Sequence, residues 1–370
     1  MKILYIFPGP VYGMTSDHFQ RRYRLLSEVF SGYVLTASSS PVDISVGGFQ
    51  CCACKHIDGF GGRLRFVLFC LRKILALKNI DIVVAYDPLL TGVIGYVAKI
   101  ILNAKLIVEL NGVYTSSHVW EGATNKLSPR FRALLFPLLA QFVLSRACGI
   151  KLTYPEQLEP FKINRKNKII RSFSNYTNTE LFKNIEERKE ILFVGFPFKL
   201  KGVDVLIKAF KRISGRHPDW YLKILGWYPD PAELNDEIGG HPRIVYHPPV
   251  PSCEMPDHIG RCGFLVLPSR TEAMGRVLLE AMSAGKARIG SRVDGIPTVI
   301  ADGVDGILVE PSDIDALAEK METLIVCPEV RYQLGRAGQL RAAREFCWEA
   351  YFKHVVDFYD DVKNKREELH

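Results

Sequence analysis

The sequence predicts an α/β protein of two doubly wound, Rossmann-like domains. Three observations carry this. A chain of 370 residues suits two domains of ordinary size. Two stretches repeat one another: Ile3-Leu4-Tyr5-Ile6-Phe7-Pro8-Gly9 and Ile191-Leu192-Phe193-Val194-Gly195-Phe196-Pro197 are both apolar strand patterns entering a Gly/Pro loop, and each opens one half. Strand-like runs then alternate with amphipathic helix patterns through both halves.

In the first half the Gly9–Thr15 loop leads into a helix over Asp17–Phe30 and a strand over Tyr33–Ala37. A basic amphipathic helix follows over Arg63–Asn79. Its apolar positions are Phe66, Val67, Leu68, Leu71, Ile74, Leu75 and Leu77, and Arg63, Arg65, Arg72, Lys73 and Lys78 mark its charged side. Strands are expected over Ile82–Tyr86 and Leu106–Leu110, with a helix from Thr91 to about Leu102 between them. Arg130–Arg146 reads as an apolar helix with basic ends, kinked at Pro137. The two basic helices read either as core helices with solvated arginines or as a surface for an anionic membrane.

Composition is globular, with 48% hydrophobic and 24% charged residues. No apolar run approaches the roughly 20 residues of a membrane span, and the first eight residues read as a strand meeting a turn rather than as a signal peptide. The nine cysteines are odd in number. Cys51, Cys52 and Cys54 crowd together without a second Cys/His pair at zinc spacing, so free thiols in a reducing cytoplasm are expected. Net charge is +8, and residues 1–180 hold 22 Lys and Arg against 11 Asp and Glu. That imbalance points to an anionic partner: a phosphorylated acceptor, a membrane surface or nucleic acid. No helix-turn-helix, zinc signature or aromatic-interleaved basic sheet supports the last, so no nucleic-acid partner is expected.

In the second half an apolar strand, Phe264-Leu265-Val266-Leu267, runs into Pro268–Gly285. A polar loop holding Glu272 comes first, then Gly275, then a helix in which Val277, Ala281 and Ala284 recur at helical spacing, and Gly285 ends it. A helix N-terminus offers free N–H groups and partial positive charge to a phosphate, and glycine there permits close approach. Glu272 and Glu280 supply acceptor oxygens that suit sugar hydroxyls; the ordinary alternative is a pair of solvated surface charges.

This order of residues resembles the donor-site signature of glycosyltransferase family 4, retaining enzymes of the GT-B fold. Glu272, Gly275, Glu280, Ala281, Met282, Ala284 and Gly285 match it, whereas Ala273 and Met274 replace its usual Gly-Phe. The resemblance implies that Glu272 and the backbone of Met274, Gly275, Arg276 and Val277 meet the transferred sugar and the diphosphate, and that Glu280 binds the ribose hydroxyls. Val194–Asp204 is similar to the family's diphosphate loop. Lys201 keeps its place there, Phe196 stands where arginine is usual, and Lys199 lies close by to supply charge. Gly13 is also implied in donor binding. Asn111 stands where members often place a histidine; it hydrogen-bonds a hydroxyl but shuttles no proton. With front-side displacement the leaving phosphate takes the acceptor proton, so Asn111 joins Glu272 and Lys201 as the implied catalytic group, with His118 the nearest alternative base. Further similarity runs through Lys168–Phe182, where Asn175 and Phe182 match, with Lys183–Glu190 as linker. It continues through Leu222–Trp227, Ile244–Pro249, Ser291–Pro297 with Thr298 replacing a glutamate, and Asp302–Pro311.

The implied organisation is an acceptor-binding domain over residues 1–183, joined by a last helix over about 352–370, and a nucleotide-sugar domain over 184–351. The implied activity is retaining transfer from a nucleotide-sugar, a UDP-sugar by default and GDP-mannose as the alternative, to a glycan or lipid-linked acceptor in surface polysaccharide or glycoconjugate synthesis. A cytoplasmic location, peripheral on the inner face of a membrane, fits that role. Neither a metal nor a cofactor is expected, because Lys201 with a helix N-terminus neutralises the diphosphate. Two readings compete: a non-catalytic glycosyltransferase-like subunit, prompted by Phe196, Asn111 and Thr298, and a nucleic-acid-binding protein, prompted by the basic first half.

Overall fold

The computed structural model describes residues 1–8, 14, 17–114, 129–228 and 231–365. The chain divides into two compact units, Met1–Phe173 with Phe352–His370, and Ser174–Tyr351.

The first unit runs β1 (Lys2–Ile6), α1 (Asp17–Leu26), β2 (Ser31–Ser38), β3 (Val42–Val46), β4 (Phe49–Lys55), α2 (Gly59–Ala76), β5 (Ile82–Ala85), α3 (Leu90–Leu102), β6 (Lys105–Leu110), α4 (Pro129–Arg146), β7 (Gly149–Leu152) and β8 (Ile169–Ser172). The sheet order is β3-β4-β2-β1-β5-β6-β7-β8. β3 pairs antiparallel with β4, and the other strand pairs are parallel. Helices cover both faces of such a sheet, which is why Ile82–Ala85 is apolar throughout and wholly buried. α3 packs between α2 and α4. Strand order reverses at β1, whose neighbours are β2 and β5.

Several boundaries differ from expectation. β3 and β4 were not anticipated. Their polar and cysteine-rich stretches lack a clean alternation, and only the Gly47 turn, at φ +57°, signals the hairpin. Cys51, Cys52 and Cys54 lie on β4 as free buried thiols, small apolar groups in effect, and burial pushes the Cys51 thiol up to about 12. α2 starts at Gly59 rather than Arg63 and ends at Ala76 rather than Asn79, since its glycine-rich first turn carries no helical signal. α1 stops at Leu26 instead of Phe30, whereas α4 spans Pro129–Arg146 with Pro137 inside it, close to the expected bounds.

The second unit runs β9 (Glu190–Val194), α5 (Val203–Ser214), β10 (Tyr221–Leu225), α6 (Ala232–Ile238), β11 (Ile244–His247), α7 (Met255–Arg261), β12 (Phe264–Leu267), α8 (Arg276–Ser283), β13 (Ala287–Ser291), α9 (Ile296–Val299), β14 (Ile307–Val309), α10 (Ile314–Val326) and α11 (Pro328–Glu345). Its sheet is wholly parallel, in the order β11-β10-β9-β12-β13-β14. Counted within the unit this is 3-2-1-4-5-6, the doubly wound order with a switch point between the first and fourth strands. Phe182 is buried in this unit's core, and the Ile185 and Arg188 amides donate to the Gly260 and Arg261 carbonyls at 3.0 and 2.7 Å. The charged run Lys183–Glu190, expected as a linker, therefore belongs to the second unit. The last helix, α12 (Trp348–Asn364), begins in the second unit and ends in the first, where Tyr359 meets Tyr5 and Phe30.

One buried ion network ties the far side of the second sheet. Arg288 on β13 is fully buried and donates to Asp305 at 2.9 Å, and Arg341 on α11 reaches the other carboxylate oxygen at 2.8 Å. Burial lowers the Arg288 pKa to about 10 despite the carboxylate beside it. Asp305→Ala would leave a buried guanidinium without its counter-ion. We expect a loss of about 3–5 kcal/mol in chemical denaturation of the second unit; a loss within experimental error would show that the pair carries no stability.

Candidate functional site

The site grows from the switch point. β9 pairs with β10 on one side and β12 on the other, so the chains leaving β9 and β12 turn to opposite faces of the sheet. Arg270, after β12, closes the gap between them. Its guanidinium donates to both carboxylate oxygens of Asp204 at 2.8 and 2.9 Å, and its amide donates to the Leu200 carbonyl at 2.9 Å. Burial works to raise the Asp204 carboxyl, but Arg270 outweighs it and holds the group below its usual range.

This clamp brings Lys201 and Glu272 together. Nζ of Lys201 donates to Oε2 of Glu272 at 2.5 Å, with only 16% and 15% of the two side chains exposed. Gly202 makes the approach possible: its φ is +66°, and a Cβ there would lie 2.0 Å from the Pro268 carbonyl oxygen. Glu272 is fixed from the other side by Asp294, whose carboxylate accepts from the Thr271 hydroxyl at 2.5 Å and the Glu272 amide at 3.0 Å. An ammonium carries three protons. With one directed at Glu272, two remain to meet anionic oxygens.

α8 begins beside this loop with Gly275 as its N-cap at φ +75°. A Cβ on Gly275 would come within 2.9 Å of the Leu267 and Leu278 side chains. Backbone conformation and core packing therefore also call for glycine here, beside the close approach of a ligand expected from sequence. The first turn of α8 holds no acidic side chain and no side-chain cap, leaving backbone donors at Arg276 and Val277. Glu280, one turn further, is 13% exposed. Burial pushes its carboxyl up, opposed by Arg276 at 3.1 Å.

Phe196 packs edge-on to Trp227 at 5.0 Å and to Tyr228 at 6.0 Å, so an aromatic cluster fills the place where arginine was usual. Lys199, expected to supply that charge, pairs with Glu233 at 3.1 Å.

Asn111 lies in the first unit, at the end of β6. Its Nδ2 donates to the Tyr86 carbonyl and to Glu109 Oε2, both at 3.0 Å, and since both partners are acceptors the amide orientation is fixed. Its Oδ1 is buried without a partner. Glu109 faces Lys151 across β6 and β7 at 3.9 Å, and burial lowers the Lys151 pKa. Asn111 is therefore held as a pure acceptor. Gly13 and His118 lie outside the described residues. Among the described residues no cluster of three His, Cys, Asp or Glu side chains has metal-ligand geometry. Asp204, Arg270 and Asp294 were given no role by sequence, because pairing across 66 residues leaves no local signal.

Two units built on parallel sheets, the second with a paired lysine and glutamate at its switch point, define the GT-B class of α/β fold. Residues 178–341, nearly the whole of the second unit, match the family described as glycosyl transferases group 1. An uncharacterized glycosyltransferase of Methanocaldococcus jannaschii is 31% identical over 209 residues, 54% of this chain and 56% of that protein. The chain spans about half the length of the curated relatives it matches. Among solved structures, sucrose-phosphate synthase from Thermosynechococcus elongatus superposes with a TM-score of 0.79 at 19% identity, covering 98% of each chain. The Anabaena protein HepE in complex with UDP-glucose superposes with a TM-score of 0.73 at 17% identity, covering 100% of each.

Gly202→Ala forces a Cβ against the Pro268 carbonyl in a conformation that disfavours it. The expected result is a destabilisation of about 1–3 kcal/mol in chemical denaturation; a loss within experimental error would show that the turn tolerates a side chain.

Proposed function

We propose that the protein is a retaining glycosyltransferase of family 4 that moves a sugar from a UDP-sugar to a glycan or lipid-linked acceptor. The observation that carries this reading is the Lys201–Glu272 pair, fixed at the switch point of a group 1 domain beside the start of α8. The two free protons of Lys201 and the backbone donors of α8 meet the diphosphate. Glu272, held by Asp294, accepts from a hydroxyl of the transferred sugar. Glu280 accepts from the ribose hydroxyls, and its burial strengthens those bonds. The leaving phosphate takes the acceptor proton, which asks no proton transfer of Asn111; its buried Oδ1 accepts from a hydroxyl. Positive charge on Lys201 and the helix start stand in for a metal ion. HepE, a protein of the same fold, is known in complex with UDP-glucose, which supports the donor class.

Phe196 favours a second reading. A charge-assisted hydrogen bond contributes about 1.5–3 kcal/mol, and its absence at that position fits a non-catalytic subunit with weak nucleotide affinity. Titration with UDP and GDP discriminates the two, because only the enzyme binds one of them at micromolar concentration.

The reading extends to location. The first 180 residues are basic, and α2 and α4 expose Leu64, Leu68, Leu134 and Leu138. No helix among the described residues is long and apolar enough to cross a membrane. A cytoplasmic enzyme held reversibly on an anionic membrane face fits these features.

Glu280→Ala should weaken UDP binding tenfold or more, whereas Glu272→Ala should keep UDP affinity and lower turnover at least a hundredfold. Equal loss of UDP affinity in both, or none in Glu280→Ala, contradicts the division of roles. EDTA should leave transfer largely intact; complete loss restored by manganese would overturn the metal-free reading.

A further inference from the structure

A cavity of about 590 Å³ opens at the C-terminal strand edge of the first unit, among the ends of β1, β2, β4 and β5. Its size is that of a small-molecule site. Three helices wall it with apolar side chains: Phe66 from α2, Leu90 and Val93 from α3, and Phe136 and Leu139 from α4. Such walls offer no partner to a ring of hydroxyls, so a sugar filling this space would leave its polar groups unpaired. They suit a hydrocarbon chain.

The rim has a different chemistry. Lys55 and Arg63 line the cavity, are exposed, and have no carboxylate partner among the described residues. Of the two acids of the lining, Asp87 is satisfied inside the wall, while Asp58 stays exposed at the rim beside His56, so with Lys55 and Arg63 the rim keeps a net positive charge. Asp87 is buried and accepts from the Leu89 amide at 2.7 Å and the Thr91 hydroxyl at 2.8 Å, and Asp58 pairs with His56 at 3.2 Å. Two free cations over an apolar chamber are complementary to an anionic head on an apolar tail. The same helices that wall the chamber carry exposed leucines, Leu64 and Leu68 on α2 and Leu134 and Leu138 on α4. Apolar surface therefore lies on the helices around the chamber as well as inside it, as entry of a chain from a bilayer requires.

We propose that this cavity holds the chain of a lipid phosphate, with its phosphate at Lys55 and Arg63, and that this lipid is the anchor of the acceptor. The last clause rests on the transferase reading given above; the binding site itself does not. It narrows the acceptor from any glycan to one carried on a lipid phosphate or diphosphate, and it gives the basic first half a specific anion.

The test is calorimetry on the full chain, without donor, using dodecyl phosphate below its critical micelle concentration. Inorganic phosphate and the uncharged dodecyl maltoside are the comparators. Dodecyl phosphate should bind at one site, at least tenfold more tightly than either. Charge reversal of the exposed pair, Lys55→Glu with Arg63→Glu, should weaken it at least tenfold without changing the melting temperature. Val93→Trp, which fills the chamber, should do the same; should that variant misfold, the charge reversal alone decides. Inorganic phosphate binding as tightly as dodecyl phosphate would mark a polar anion site and overturn the proposal. So would unchanged affinity in the charge-reversed protein, or no binding of dodecyl phosphate at all. UDP is titrated in parallel. Loss of dodecyl phosphate binding with UDP binding intact strikes the cavity proposal alone, while the converse strikes the donor reading and leaves the cavity site standing.

Discussion

The second unit's site depends on one salt bridge between loops that the sheet topology drives apart. At the switch point the chain after β9 and the chain after β12 leave in opposite directions, and that divergence is what creates room for a ligand. Room alone does not place side chains. The bidentate contact of Arg270 with Asp204 sets the spacing of the two loops, and the planar fork of a guanidinium fixes orientation as well as distance. Lys201 precedes Asp204 by less than one helical turn and Glu272 follows Arg270 by two residues. Fixing the outer pair thus brings the inner pair to 2.5 Å. The inner pair is the chemically useful one, and in the proposed reaction a ligand's diphosphate completes the coordination of Lys201 rather than displacing Glu272.

Two departures from the family pattern become intelligible in this frame. Phe196 is not a bare loss of charge. It joins Trp227 and Tyr228 in an aromatic cluster whose stability comes from ring packing, and Tyr228 is in turn tied to the loop by its hydroxyl, which donates to the Gly195 carbonyl at 3.0 Å. The loop is held by apolar contacts where a guanidinium would have held it by charge. Asn111 likewise is no mobile substitute for histidine. Glu109 and the Tyr86 carbonyl take both of its amide protons, and Glu109 is anchored by the buried Lys151. What remains is a fixed acceptor oxygen, suited to orienting a hydroxyl and unsuited to moving a proton.

Much of this was legible in the residues. The apolar runs that open each half, Ile3–Phe7 and Ile191–Val194, became the central strands β1 and β9, because only a strand covered on both faces is apolar at every position. Lys201, Glu272, Gly275 and Glu280 lie on the loops and helix that the order of residues indicated. What escaped was non-local or spoken in an unusual alphabet. The Arg270–Asp204 clamp joins residues 66 apart, and Asp294 acts from a third loop. β4 hides its strand character behind cysteines, which periodicity arguments do not count as firmly as valine or isoleucine. The packing role of Gly275 also escaped: its missing side chain makes room for Leu267 and Leu278 behind the loop.

The central claim is that the nucleotide-sugar is held by the loop after β9 and the start of α8. Hydrogen–deuterium exchange with and without saturating UDP tests it most directly, since exchange reports protection at individual backbone segments. The account predicts slowed exchange concentrated in Phe196–Gly202 and Met274–Val277, with the amides around α2 in the first unit unchanged. Saturation by UDP with no slowing in either segment would contradict it.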